Sequence, residues 1–250
     1  MGDEARSRFL ARMKPATFAI LGVAGEPVGV AFAVTRRHLL TAHHNLPKGH
    51  NRLQVQGVAH TPASASSSSS SGAATSSSSS ASPALPFAAT LVGGDEELDW
   101  AVFRVEQDLQ PVPLWEGTLD ENKHFGRRVL LFDLGIGSWS EDPDQQVSAG
   151  FMVFETLISG IRPNIIVHDA PSFPGDSGSP VLLDEAGHVV AMHIAQVNKV
   201  PVTRKRGREG DDELHSSLSS STAHVGQAVR IDVIRSRIAE LCAPEQLVSD

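Results

Sequence analysis

The residues best suited to chemistry centre on Ser177, in the segment Pro174-Gly175-Asp176-Ser177-Gly178-Ser179-Pro180. A serine hydroxyl is a poor nucleophile until a base takes its proton, and the oxyanion formed by its attack must be met by fixed donors. Glycines on both sides let the backbone turn tightly enough to aim the amide hydrogens of Gly175 and Ser177 at one point. Read alone, Gly-Asp-Ser-Gly is also an ordinary turn, so the chemistry depends on finding a base elsewhere.

Leu39-Leu40-Thr41-Ala42-His43-His44 offers two candidates at the end of a short apolar run. An imidazole there can reach across a cleft while its backbone stays anchored. In Leu98-Asp99-Trp100-Ala101-Val102-Phe103, a carboxylate leads directly into an apolar strand, and a desolvated carboxylate needs hydrogen-bonding partners. Accepting from a histidine ring would supply one and fix the tautomer. The neighbouring Asp95, Glu96 and Glu97 read as loop residues. Metal binding by His43 and His44 is disfavoured, because adjacent side chains on a strand diverge and no cysteine cluster assists. No metal and no cofactor is expected.

The elements that must position these groups are mostly strands. Runs at 18–23, 28–34, 38–40, 101–105, 128–132, 165–168, 181–183 and 189–194 are short, rich in Val, Ile, Leu and Phe, and bounded by Gly, Pro or Asp, as strands are. Asp184, Glu185, Ala186 and Gly187 read as a hairpin turn. Sustained helical periodicity appears at the end, where Asp232 is placed to cap a helix with Ile234, Ile238 and Leu241 on one face. The pattern suggests barrels or a sandwich. Residues 62–86 are nearly all Ser, Ala, Gly and Pro, with too little apolar surface to offset chain entropy, and are expected to form a disordered loop. Residues 203–222 run from a basic cluster through an acidic one into serines and are expected to be exposed and mobile.

Composition narrows the function classes. The 250 residues carry a formal charge of −8, the wrong sign for a protein that neutralises phosphates, so no nucleic-acid partner is expected. Residues 16–24 are too few to span a bilayer, the Asp3 and Glu4 that precede them are unlike a signal peptide, and no membrane association is expected. Cys242 is the one cysteine, which rules out an intrachain disulfide and favours a reducing, intracellular and cytoplasmic setting. Arg6, Arg8, Arg12 and Lys14 keep an organellar presequence open, and Arg204 to Arg208 a nuclear address. Nothing in the residues points to an oligomeric state.

Taken in order, Thr41-Ala42-x-His44, Asp99-x-Ala101-Val102 and Gly175-Asp176-Ser177-Gly178-Ser179-Pro180 resemble the motifs of the trypsin-like serine peptidases. The resemblance spans about 17–241 and implies an all-β fold of two six-stranded antiparallel β-barrels with a C-terminal α-helix. It implies an N-terminal extension over 1–15 and a peptidase domain over 16–241. Within that domain the N-terminal barrel covers about 16–110, the C-terminal barrel about 125–231 and the helix 232–242, with no PDZ-like domain after it. His44 stands at the family's spacing after Thr41 and takes the role of base, with Asp99 as orienting acid, Ser177 as nucleophile and Gly175 with Ser177 as oxyanion hole. By strand alternation His43 then faces the other way and is structural. His44 and Asp99 are 55 apart in sequence, a gap that one or two hairpins span once the Ser-rich insertion is removed. The order His, Asp, Ser differs from the α/β-hydrolases, whose nucleophile comes first.

Within the family, the chain is most similar to disulfide-free branches. His168 to Gly175 resembles the run before the nucleophile in HtrA-type peptidases, and Gly178-Ser179-Pro180-Val181 resembles the glutamyl endopeptidases. No Ile-Val-Gly-Gly activation site precedes His44, so Asp176, which pairs with the new N-terminus in activated zymogens, must find another partner. Met192-His193-Ile194-Ala195 is similar to the strand on which glutamyl endopeptidases and viral 3C-like proteases carry an S1 histidine. Ser172 occupies the position of a pocket hydroxyl. Together His193 and Ser172 imply a Gln or Glu preference at P1, against the alternative of a satisfied strand histidine beside a small apolar pocket. The expected function is endoproteolysis of protein or peptide substrates through an acyl-enzyme. Its alternative is an inactive pseudoprotease serving as an interaction module, suggested by Gly29-Val30-Ala31-Phe32, which lacks the usual Gly-x-Gly-Phe, and by the atypical loop 133–145. Arg204 to Arg208, following the His193 strand, should hang near the substrate cleft.

Overall fold

The computed structural model describes residues 3–57, 85–134, 151–183, 187–198 and 224–243. The Ser-rich insertion up to residue 84, the charged segment 203–222, the turn residues Asp184, Glu185 and Ala186 and the loop from 135 to 145 lie outside the described residues.

The apolar runs become strands that bury both faces, because each strand gives alternate side chains to a barrel interior and to the seam between barrels. In β3 (His38–Thr41) Leu39 enters the first barrel and Leu40 the seam; in β6 (Trp100–Arg104) Phe103 goes inward and Trp100 and Val102 outward. The first barrel closes in the order β1 (Thr17–Leu21), β2 (Pro27–Ala33), β3, β6, β5 (Phe87–Asp95), β4 (Arg52–Gly57). The second closes as β10 (Pro180–Leu182), β11 (Val189–Asn198), β12 (His224–Arg230), β9 (Ile165–His168), β8 (Met152–Ile161), β7 (Arg128–Asp133). Every strand pairing is antiparallel. This is the expected fold class, two closed six-stranded antiparallel β-barrels with a C-terminal helix.

The seam is the largest apolar cluster. Phe32, Leu40 and Trp100 from one barrel meet Leu130, Phe132, Leu182, Met192 and Val229 from the other. Two helices cap it. α3 (Ile231–Cys242) brings Ile231, Ile234, Ile238 and Cys242, spaced three or four apart, into the cluster, as a single apolar face requires. Asp232 does not cap α3 as expected. The helix begins one residue earlier, and Asp232 is drawn to the Arg230 guanidinium at 2.7 Å and to the Leu119 amide at 2.9 Å, tying the inter-barrel connection to the helix start.

The first helix is a difference from the sequence expectation. Residues 3–13 form α1 (Asp3–Met13), whose Phe9 and Met13 are buried in the seam, Phe9 edge-on to Phe132 with ring centres 5.8 Å apart. A short helix, α2 (Glu121–His124), capped by the Asp120 side chain, leads into β7.

Candidate active site

β3 ends at Thr41, whose hydroxyl donates to the Val30 carbonyl at 2.6 Å, and the chain then turns through a single 3₁₀ turn over His43–Asn45. The alternation argument for His43 therefore does not apply. In a 3₁₀ turn successive side chains are about 120° apart, and His43 is half-buried while His44 is exposed and Asn45 is buried. The His44 amide donates to Asp99 Oδ1 at 2.9 Å, and its Nδ1 lies 2.7 Å from Oδ2. One carboxylate thus grips both the backbone and the ring of His44. Bonding at Nδ1 places that nitrogen's proton toward the carboxylate and turns Nε2 away with its lone pair. Asp99 achieves this grip from a left-handed backbone, φ 56°, at the turn just before β6. That conformation is uncommon for a residue with a Cβ and is best tolerated by Asp and Asn.

The serine segment lies between β9 and β10. Gly175 (φ 99°) and Gly178 (φ 94°) both occupy the left-handed region. A Cβ on Gly178 would overlap the Val30 carbonyl oxygen of the other barrel, so only glycine lets the loop dock there. The Asp176 amide donates to Phe173 O at 3.1 Å, closing a turn with Gly175 at its third position, the arrangement of a type II turn. Gly178 N donates to His193 O and His193 N to Ser179 O, at 2.7 and 2.8 Å, anchoring the loop on β11. Among the described residues neither the Gly175 nor the Ser177 amide meets an acceptor. The Ser177 hydroxyl points to the Ile194 carbonyl, 3.3 Å away.

Sequence reasoning missed the residue that links the two loops. Asn45 Nδ2 donates to the Ser177 carbonyl at 2.9 Å and to Thr41 Oγ1 at 3.0 Å, and the Val30 amide donates to the same Ser177 carbonyl at 2.9 Å. The histidine loop of one barrel and the serine loop of the other are thereby joined. The available signal was indirect: with one cysteine in the chain, some group other than a disulfide had to hold the histidine loop.

His193 and Ser172 are both buried. No hydrogen bond joins them among the described residues, and the Ser172 hydroxyl has no partner. His193 instead meets His168 of β9, with Nδ1 and Nε2 3.1 Å apart, and His168 is a second residue the sequence did not single out. Gly226 of β12 stands opposite His168, where a Cβ would overlap the ring. The Ala170 amide donates to His168 Nδ1 at 3.3 Å, so a neutral His168 carries its proton on Nε2 and gives it to His193 Nδ1. His193 is then left as an Nε2–H donor. Burial holds His168 down at about 4, against the opposing pull of Asp169. Burial and then the charges of His168 and His44 hold His193 at about 3, so both rings are neutral near pH 7. Asp176 turns inward, and its partner is the side chain of Asp133 at the end of β7.

Among the described residues no group of His, Cys, Asp and Glu is arranged to hold a metal ion, and no helix is long and apolar enough to cross a membrane. Residues 29–192 match the family described as trypsin-like peptidase domain. No curated protein matches the chain. Among solved structures, a serine endoprotease from Yersinia pestis is similar at 17% identity and a TM-score of 0.60, over 94% of this chain and 65% of that one. The MamO protease domain from Magnetospirillum magneticum in its apo form is similar at 14% identity and a TM-score of 0.56, over 90% of this chain and 97% of that one. At these identities the two structures speak for the fold. The chain spans about two thirds of the Yersinia protein's length.

Proposed function

The chain belongs to the trypsin-like peptidase domain family, and we propose that it works as a serine endopeptidase with Ser177 as nucleophile, His44 as base and Asp99 as orienting acid. One observation carries the reading: Asp99 holds both the ring and the amide of His44, while the next residue, Asn45, holds the carbonyl of Ser177. The loops that carry His44 and Ser177 are thus joined across the seam. With Nδ1 committed to Asp99, His44 Nε2 takes the Ser177 proton as the hydroxyl rotates from Ile194 O to attack a peptide carbonyl. Catalytic hydrogen bonds commonly tighten only when substrate is present. The unengaged amides of Gly175 and Ser177 receive the oxyanion, His44 returns its proton to the leaving amine, and water then hydrolyses the acyl-enzyme. Protein or peptide chains are the substrates. The non-catalytic alternative is not favoured by a match to a peptidase domain.

The specificity reading rests on the imidazole chain. A neutral His193 with Nε2–H to donate, and a Ser172 hydroxyl that no group engages among the described residues, suit the carboxamide or carboxyl oxygen of Gln or Glu, and Pro171 brings no charge for Lys or Arg. Reaction with a fluorophosphonate probe and cleavage of a peptide library test both levels together. The parent protein should label and cut after Gln or Glu. Ser177→Ala should not label and should lose turnover by a factor on the order of 10⁶. Equal labelling of the two proteins would remove Ser177 from its role, and a basic or aromatic P1 would remove the specificity.

A further inference from the structure

Asp176 precedes the nucleophile and is fully buried, as is Asp133 at the end of β7. Asp176 Oδ2 accepts the Phe173 amide at 2.5 Å, closing the same turn that carries Gly175. Its Oδ1 meets no N–H or O–H donor among the described residues. The Asp133 carboxyl lies within side-chain hydrogen-bonding reach of the Asp176 carboxyl. Asp133 Oδ1 in turn accepts the Leu134 amide at 2.6 Å and the Ser179 hydroxyl at 3.3 Å. Two carboxylates in contact inside a protein cannot both stay ionised, and the donor that Asp176 Oδ1 lacks is supplied if one of them is protonated.

We propose that Asp133 is a positioning residue, and that one proton shared between Asp133 and Asp176 clips the nucleophile loop to β7 and so sets the oxyanion amides. The clip rests on the peptidase reading above for its functional meaning, though not for its existence. Asp133 is the charge acting on Asp176; the remaining contacts come from the neutral Phe173 amide and, through Asp133, from Ser179 and Leu134. Burial first, and then repulsion from Asp133, push the Asp176 carboxyl up to about 8. As pH rises through that value the proton is lost, the two charges repel, and the link between the nucleophile loop and β7 loosens.

Infrared spectroscopy and pH profiles separate this from a merely structural role. The parent protein at pH 7 should show the C=O stretch of a protonated carboxyl. The band should disappear at pH 10 and be lost at pH 7 in Asp176→Asn. Both kcat/KM and fluorophosphonate labelling should fall as pH rises past about 8. In Asp133→Asn a fixed amide N–H replaces the shared proton, so the alkaline limb, normalised to that variant's own plateau, should move up by about one unit or more. Absence of the carboxyl band from the parent at pH 7 overturns the proposal, whether or not the protein is active. So does an alkaline limb that is flat in the parent or unmoved in Asp133→Asn. Failure to label at any pH, with the band present, would instead defeat the peptidase reading and leave the shared proton standing.

Discussion

At the scale of single residues, the site depends on side chains that do no chemistry. Asn45 is buried and spends its amide on Thr41 and on the carbonyl of Ser177. Removing it leaves that carbonyl with the Val30 amide alone. A lost hydrogen bond of this kind costs about 1–2 kcal/mol of stability, whereas misplacing a nucleophile by a fraction of an ångström lowers turnover by roughly ten- to a hundredfold. Asn45→Ala should therefore lose kcat while KM changes little and the fold persists, which steady-state kinetics beside a thermal melt would show. Ser177, His44 and Asp99 stood out in the sequence because the roles proposed for them demand particular residue types beside glycine or at strand ends. Asn45, His168 and Asp133 were not, because what makes each matter is a contact with a residue far along the chain, and nothing in its own neighbourhood signals that.

Among the elements, the strands that the sequence showed clearly are those with two buried faces. β3, β6 and β7 place apolar side chains alternately in a barrel and in the seam, so they read as unbroken apolar runs. β4 has only Leu53 and Val55 buried, between exposed Arg52 and Gln54, and β5 carries Gly93 and Gly94 near its end. β12 is interrupted by Gly226 and Gln227, and β8 by Glu155 and Gly160. Each falls below the apolar density that marks a strand in one sequence, and barrel closure supplies what local propensity lacks. α1 was missed for a related reason: among its described side chains only Phe9 and Met13 face the seam with full burial, too narrow a stripe among charged residues to stand out. Its contribution should be large nonetheless. Phe9→Ala removes an aromatic side chain from the seam and is expected to cost about 3–5 kcal/mol, measurable by denaturant titration. A loss below 1 kcal/mol would mean that α1 is not docked in solution.

For the whole molecule, the interior polar groups set opposite responses to pH. His168 and His193 are held below their ordinary 6.5, at about 4 and about 3. The stability gained by burying them neutral is therefore present above pH 6.5 and is lost as pH falls through those lower values. Asp176 is raised from 3.8 to about 8, so its contribution is present below the ordinary carboxylate value and is lost as pH rises toward 8. Two imidazoles outweigh one carboxyl on the acid side, and stability should fall between pH 6.5 and 3.5 by on the order of a few kcal/mol, read as a falling melting temperature. His168→Gln should flatten that decline; an unchanged slope would show that the pair is not buried neutral.

Because the carbonyl of Ser177 is held by donors from the opposite barrel, the proposed site is assembled only while the two halves stay pressed together. On the proposed peptidase reading, a molecule whose halves begin to part, through heat, mutation or an unfinished fold, should lose its activity while its strands are still formed. Damaged copies would, on that reading, fall silent instead of cleaving at random.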